Sequence, residues 1–483
     1  MLKQINNSWI YAGTIAFILL NALFIYKEFY YLSIIPAVLL FIAAALLSLD
    51  KLILAIVFLV PLSVPLSELA GGLPIDMFLP TEPLLAGILL IFILKLIYEG
   101  NFDKKILLHP VTIAIYFYLL WILITSITST MPVVSIKFFI SKLWFIATFY
   151  FLTTQIFRNK NNIPLYFSLY VYSLILVVAY TLYRDITYGI FEPKIAYWAS
   201  NPFYKDHTSY GAILAFYIPP VVSLMFSKEN TIQKRFRFTV IFFILITGLI
   251  FSYSRAAWMS LVMAAGLWVV IKLKIKPYII ISFSIILIAF AALLGPGIMR
   301  DLKSNKEASN TNNITQHLQS AANVSTDASN LERINRWHCA IRMFKQKPIF
   351  GWGPGTYMFQ YAPFQISSEK TIISTNEGNL GNAHSEYLGP LAEQGILGTL
   401  FFIAIVISTI ITGSRVYKHT KSIYMRNYGL AALLGLVTYY IHGFLNNFLD
   451  TDKASVPFWG FTAILVALDV YYSNKPDNID KKI

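Results

Sequence analysis

The feature that most restricts this chain is the recurrence, from one end to the other, of apolar runs of about 17–22 residues, the length at which an α-helix crosses the hydrocarbon core of a bilayer. In that solvent every backbone N–H and C=O must be satisfied internally, so only helices and closed barrels span it. Barrel strands alternate polar and apolar residues over about ten positions, and that pattern is absent from the sequence. Composition agrees: 57% of the 483 residues are hydrophobic and 13% are charged, against about 25% charge in an ordinary soluble domain. The expected fold class is all-α, a polytopic integral membrane protein.

About fourteen transmembrane helices are expected, at roughly 9–26, 29–48, 52–68, 83–98, 110–128, 134–156, 164–183, 208–226, 237–253, 256–272, 277–297, 395–413, 427–447 and 456–473. The first run ends in Lys27-Glu28 without a small-residue cleavage site, so it reads as a retained span. Pro61, Pro65, Pro219 and Pro220 fall inside spans, which should be kinked there and buried where neighbours re-satisfy the freed backbone. The short connectors with Lys104-Lys105, Arg158 with Lys160, Lys228 to Arg237, Lys272 to Lys276 and Arg415 to Arg426 are basic, as is the Lys481-Lys482 tail. By the positive-inside rule they are cytoplasmic. Both termini then lie inside, and the long connectors 184–207 and 298–394 lie outside. The net charge of +14 therefore reflects topology and not nucleic-acid binding. The expected organisation is a bundle over 1–297, a periplasmic loop over 298–394 and C-terminal spans over 395–483.

The loop opens on "SNKEASNTNNITQHLQSAANVSTDASN" (304–330), an Asn/Ser-rich stretch without core-forming residues; its Asn-x-Ser/Thr triplets at Asn313 and Asn323 carry little weight. Ser329 and Glu332 then form a capping box. Leu331, Ile334, Trp337, Ile341 and Phe344 recur at helical spacing until Pro348 stops the helix. Such a helix lies amphipathically on the bundle or bilayer and displays Arg333, Arg336 and Arg342. The single cysteine, Cys339, excludes an internal disulfide and a Cys-based metal cluster.

Of seven histidines, His109 and His419 fall on the basic side, His317 in the Asn-rich stretch, His338 on the capped helix and His442 inside a span. His207 and His384 sit at the outer face, each just ahead of an apolar run. A lone interfacial histidine is most often a structural hydrogen-bonding residue. His384 stands out by its context, "HSEYLGPLAEQGILGT" (384–399), in which His-Ser is followed by nine residues and Gly-x-x-Gly-Thr.

That segment resembles the signature of the O-antigen ligase and polymerase superfamily. "FSYSRAAWMS" (251–260) is similar to the family's Ser-Arg-Gly motif, with Ala256 where glycine is usual. "RWHCAIRMFKQKPIFGWGPGTY" (336–357) is similar to its Arg…Trp…Pro…Gly-Trp-Gly-Pro-Gly block. The resemblance covers roughly the C-terminal half. It implies a GT-C-like membrane glycosyltransferase without a cofactor or metal, acting at the periplasmic face of the inner membrane. The donor would be a glycan on undecaprenyl diphosphate and the acceptor lipid A core, a second lipid-linked glycan (a polymerase) or a protein hydroxyl (an O-oligosaccharyltransferase).

Inverting transfer of this kind needs a base near neutrality, which histidine supplies, and cations at the leaving diphosphate. His384 is the expected general base, with His207 the next to test. Arg255, at the start of an outer-face helix whose N-terminus adds positive potential, is the expected diphosphate ligand, joined by Arg336 and Lys142. An intramembrane lysine such as Lys142 is costly and tends to line a pathway. Asp450, in Asp450-x-Asp452, is a further candidate for an orienting role or, less well supported, a metal. The run "GWGPGTY" (351–357) lacks the Gly-Lys-Ser/Thr end of a nucleotide loop and reads as tight turns across the bundle. A transporter or flippase of lipid-linked glycans is the competing class, disfavoured because the polar candidates cluster at one face and no repeated halves are visible.

Overall fold

The computed structural model describes residues 7–29, 31–69, 77–100, 102–273, 275, 328–371, 373–375 and 381–473. The eleventh expected span (277–297) and the Asn-rich stretch up to residue 327 lie outside these. Two compact units divide the chain, Met1–Ala55 and Ile56–Ile483.

The first unit holds α1 (Asn7–Tyr26) and most of α2 (Ile35–Leu59). The spans expected at 29–48 and 52–68 run together in α2, with a break at Ser48 (φ −162, ψ 63). The second of them stops early, at Leu59, because Pro61 lies in a tight 3-10 turn, Val60–Leu62, and proline disfavours a helical residue ahead of it.

In the second unit β1 (Val64–Pro65) pairs antiparallel with β2 (Phe78–Leu79). Ten helices of fifteen or more residues then precede the last one among the described residues: α3 (Thr81–Glu99), α4 (Pro110–Ile127), α5 (Pro132–Ile146), α6 (Asn162–Tyr188), α8 (His207–Met225), α9 (Ile232–Phe251), α10 (Arg255–Lys272), α11 (Ala328–Gln346), α12 (Leu388–His419) and α13 (Ile423–His442), with a short α7 (Pro193–Ala199) before α8. The last helix is α14 (Asp452–Tyr472). Several starts are written locally. Pro110 and Pro132 occupy first-turn positions that need no N–H. Asp206 caps α8 by accepting from Thr208 N (2.7 Å) and Ser209 N (2.8 Å). Among the described residues eight helices are long and apolar enough to cross a membrane, so the chain is a multi-pass helical membrane protein. The expected spans at 237–253 and 427–447 coincide with α9 and α13. The latter is buried along nearly its whole length between α8, α10, α12 and α14.

Proline shapes the packing of α14. Pro457 has no N–H, so the carbonyl of Lys453 loses its helical partner, and the Tyr170 hydroxyl donates to it instead at 2.7 Å. One turn on, Tyr166 donates to Val456 O at 2.8 Å; it fits because Gly460 leaves no Cβ in its way. Pro219 and Pro220 are likewise buried within α8.

The first turn of α14 is anchored by two buried charges. Asp452 accepts from Ser63 Oγ and Thr81 Oγ1, each at 2.6 Å, while Lys453 Nζ donates to Val60 O, Ser63 O (2.7 Å) and Ser63 Oγ. The turn after α2, the start of α3 and the start of α14 are thereby tied at one end of the bundle. Removing one member of such a set leaves the other charge buried and uncompensated, at a cost of about 3–5 kcal/mol. Lys453→Ala should therefore lower the melting temperature of detergent-solubilised protein, whereas Lys194→Ala, on exposed α7 surface, should not.

Candidate functional site

The glycines of the 384–399 segment have a structural reason. α12 is broken at Gly395, whose φ of 67 and ψ of −167 belong to a region open essentially to glycine alone. The carbonyls freed there are taken by the loop that carries Gly351, Gly353 and Gly355, all at positive φ. Trp352 N donates to Ala392 O at 3.1 Å and Gly353 N to Glu393 O at 2.7 Å, while Ile396 N returns a bond to Pro348 O at 3.0 Å. Trp121 Nε1 of α4 takes Gln394 O at 2.8 Å. A Cβ on Gly351 would strike the backbone of Glu393, and one on Gly395 the carbonyl of Ile349. The same loop reaches α5, where Ser135 Oγ donates to Pro354 O at 2.8 Å.

Beside this junction lies a cavity lined by both polar and aromatic side chains. Its floor is the Glu393 carboxylate, which accepts from Gly355 N (3.0 Å) and Tyr357 N (2.9 Å). Glu386 faces it from the loop before α12; its Oε1 accepts from the Tyr439 hydroxyl (2.6 Å), Phe448 N (2.7 Å) and Leu449 N (2.9 Å). Burial and then the neighbouring Asp450 push the Glu386 carboxyl above its usual range, against the pull of Lys142. Lys142 enters from α5 and donates to Leu449 O (2.7 Å) and Asp450 Oδ1 (2.8 Å). Asn382, Ser385, Gln394 and Asn447 complete the polar wall, with Tyr118, Phe138 and Tyr357 as its aromatic part.

His384, within the same segment, does not line the cavity. It is a non-glycine residue with φ of 48, a strained left-handed conformation, held by Asn382 Oδ1 accepting from His384 N (3.0 Å) and by Trp337 Nε1 donating to His384 O (3.3 Å). Among the described residues no hydrogen bond is made by its ring. Burial, then the cations of Arg333 and Arg336, lower its pKa to about 4, so the imidazole is neutral at pH 7. Arg333 donates to Leu445 O (3.3 Å) and Asn330 Oδ1 (3.2 Å), and Arg255 to Ser329 Oγ (3.1 Å); both arginines are thus tied to the first turn of α11. Tyr253, two residues before Arg255, is also at positive φ (48).

The remaining sequence candidates fall out as follows. Arg336 is not displayed on the surface of α11: it is 3% exposed, bonds Glu332 Oε1 at 2.7 Å and lies 3.8 Å from the centroid of the Tyr361 ring. Glu332 also bonds Thr371 and Ser374, and Ser329, one residue inside α11 (Ala328–Gln346), accepts from Arg255. Lys142 and Asp450 come together, but with each other in the cavity, apart from the arginines. Asp452 belongs to the anchor at Ser63, so the two acids of Asp450-x-Asp452 serve different partners. His207 opens α8 with its ring 4.5 Å from that of Tyr197; Asp206 beside it is felt electrostatically by His384. Sequence reading missed Glu386 and Glu393. Their signal was present as two acids seven residues apart where the chain enters an apolar run.

The likeness read from three motifs is borne out. Residues 240–403 match the family described as O-antigen ligase, a stretch that contains Arg255, α11, the Gly-Trp-Gly-Pro-Gly loop, His384 and the broken start of α12. A comparison with curated proteins finds no match.

Two substitutions test the junction. Gly395→Ala forces a strained φ and a clash with the Ile349 carbonyl, and should cost at least about 2 kcal/mol. Glu393→Leu strands the Gly355 and Tyr357 amides, at about 1–3 kcal/mol each. Both should lower thermal stability and open the 351–360 segment to protease; unchanged proteolysis in both variants would show that the loop does not depend on this contact.

Proposed function

We propose that the protein is an O-antigen ligase-like inverting glycosyltransferase, moving a glycan from undecaprenyl diphosphate to an acceptor hydroxyl of lipid A core at the periplasmic face of the inner membrane. The observation that carries the reading is a His384 imidazole, held neutral by burial and by Arg333 and Arg336 and with no ring hydrogen bond among the described residues, inside the region that matches the O-antigen ligase family.

In this reading His384 takes the proton of the acceptor hydroxyl as its oxygen attacks the anomeric carbon. The bond from that carbon to the diphosphate breaks on the opposite face, and undecaprenyl diphosphate leaves with the electron pair. Arg255 and Arg333, at the first turn of α11, meet the diphosphate with planar forks suited to its oxygens. Arg336, buried against Glu332 and Tyr361, adds positive potential and positions the helix that bears Arg333. The N-terminus of α10 points its free N–H groups at the same place. Lys142, committed to Asp450, sits on the acceptor side instead of at the diphosphate.

The low pKa of His384 makes the pH dependence diagnostic. A base of pKa about 4 is deprotonated throughout the physiological range but is a weak proton acceptor. A bound diphosphate offsets the arginine charges that lower it, so its pKa rises in the enzyme–substrate complex. The acid limb of kcat/KM, which reports free enzyme, should lie near pH 4, and that of kcat at higher pH. His384→Ala should reduce turnover by about 10²–10⁴-fold with the protein still folded.

The assay is transfer by protein reconstituted with an undecaprenyl-diphosphate glycan, with and without lipid A core, in the presence of chelator. One glycan added to core supports the reading. A ladder from donor alone makes the protein a polymerase, and activity restored only by a divalent cation removes the arginine-based mechanism. Near wild-type transfer by His384→Ala overturns the assignment of the base.

A further inference from the structure

The two sides of the 382–386 segment differ in charge. On the side of His384, Arg333 and Arg336 are accompanied by Glu332 and Asp206. Of residues 382–386, Asn382, Ala383, Ser385 and Glu386 all line the cavity and His384 does not; its left-handed φ turns it away from the face its neighbours share. Inside the cavity three carboxyl groups, Glu386, Glu393 and Asp450, meet one cation, Lys142. Such a site carries surplus positive charge only if all three carboxyls are protonated, so it is unsuited to a phosphate or any other anion.

The cavity is also short of donors. Glu386 places all three of its hydrogen bonds on Oε1, and among the described residues Oε2 has no partner. Gln394 Oε1 and Asn447 Oδ1 are buried without one. Buried acceptors left in this state cost free energy, and a ligand rich in hydroxyl groups removes that cost. A hydroxyl both donates and accepts, so it pairs with the two amides in either orientation. Tyr118, Phe138 and Tyr357 supply the apolar surface on which a sugar face packs.

We propose that this cavity is a subsite for one uncharged or amino sugar ring of the acceptor glycan, and that Glu386 fixes the ring through Oε2 and bars anionic sugars. The identity of the ligand as acceptor glycan rests on the transfer reading above; the preference for a hydroxyl-rich, non-anionic ring rests on the cavity alone. It makes Glu386 a specificity-determining residue.

The test is binding of three soluble trisaccharides of equal length to protein in nanodiscs, followed by saturation-transfer NMR: a neutral glucan, a glucosamine oligomer and a glucuronate-containing one. The neutral and amino oligomers should bind, and the glucuronate one at least ~10-fold more weakly, the ratio equivalent to losing one charge-assisted hydrogen bond. Glu386→Gln should shrink that ratio by about 10-fold at unchanged melting temperature. Asn447→Asp, which adds an acid to the same wall, should widen it, so the inference stays testable if the first variant fails to fold. Equal binding of neutral and glucuronate oligomers, a ratio unmoved by either substitution, or no binding of any oligomer would overturn the proposal. Undecaprenyl diphosphate binding in the same preparations reports on the arginine cluster. Its loss with sugar discrimination intact would remove the transfer reading and leave the subsite standing.

Discussion

Everything at the candidate site hangs on one accommodation, the hydrogen bonding between the break in α12 and the glycine-rich loop. A helix interrupted within an apolar run exposes carbonyls that lipid cannot satisfy. Here the amides of Trp352 and Gly353 answer the carbonyls of Ala392 and Glu393, and the Glu393 side chain answers the amides of Gly355 and Tyr357. The exchange is reciprocal, so neither segment is properly satisfied without the other. It fixes the level at which α12 begins, and with it the heights of Glu386 and His384 in the preceding turn.

From that fixed point the electrostatics follow. A segment only a few residues long lies between the Arg333–Arg336 side, with its Glu332, and the three carboxyls and one lysine of the cavity. The strain at His384 is tolerated because Asn382 and Trp337 grip its backbone from both ends. The arginines that suit a diphosphate also keep the imidazole neutral. In the proposed mechanism one arrangement thereby holds His384 deprotonated before substrate arrives, and the charge of a bound diphosphate raises its basicity.

What the sequence disclosed tracks how local each determinant is. A run of apolar residues long enough to span a bilayer is a property of the run itself, and α3, α4, α5, α6, α8, α10, α12 and α14 all lie where such runs predicted them. The third expected span was misjudged because Pro61 ends the helix in a turn that hydropathy does not register. Ser329 and Glu332 have the spacing of a cap, and they also meet Arg255 and Arg336 through contacts that spacing cannot show. The partnership of Lys142 with Asp450 spans 308 residues and leaves no trace in either neighbourhood. Glu386 and Glu393 were legible in principle, as acids at a membrane entry, but their role appears only when the loop and the start of α14 are seen around them.

That long-range pairing has a consequence for biosynthesis. Segments emerge from the ribosome in order, and membrane helices insert as they are made. The cavity wall draws on α4 and α5, on the loop before α12 and finally on Asp450, so its lysine waits through 308 residues for its counter-ion. A partly translated chain, already embedded among the lipids it is proposed to handle, holds its arginines and its histidine but not a closed pocket beside them. The pocket is thus completed only with the last helices, and a chain truncated before residue 450 lacks the counter-ion of Lys142.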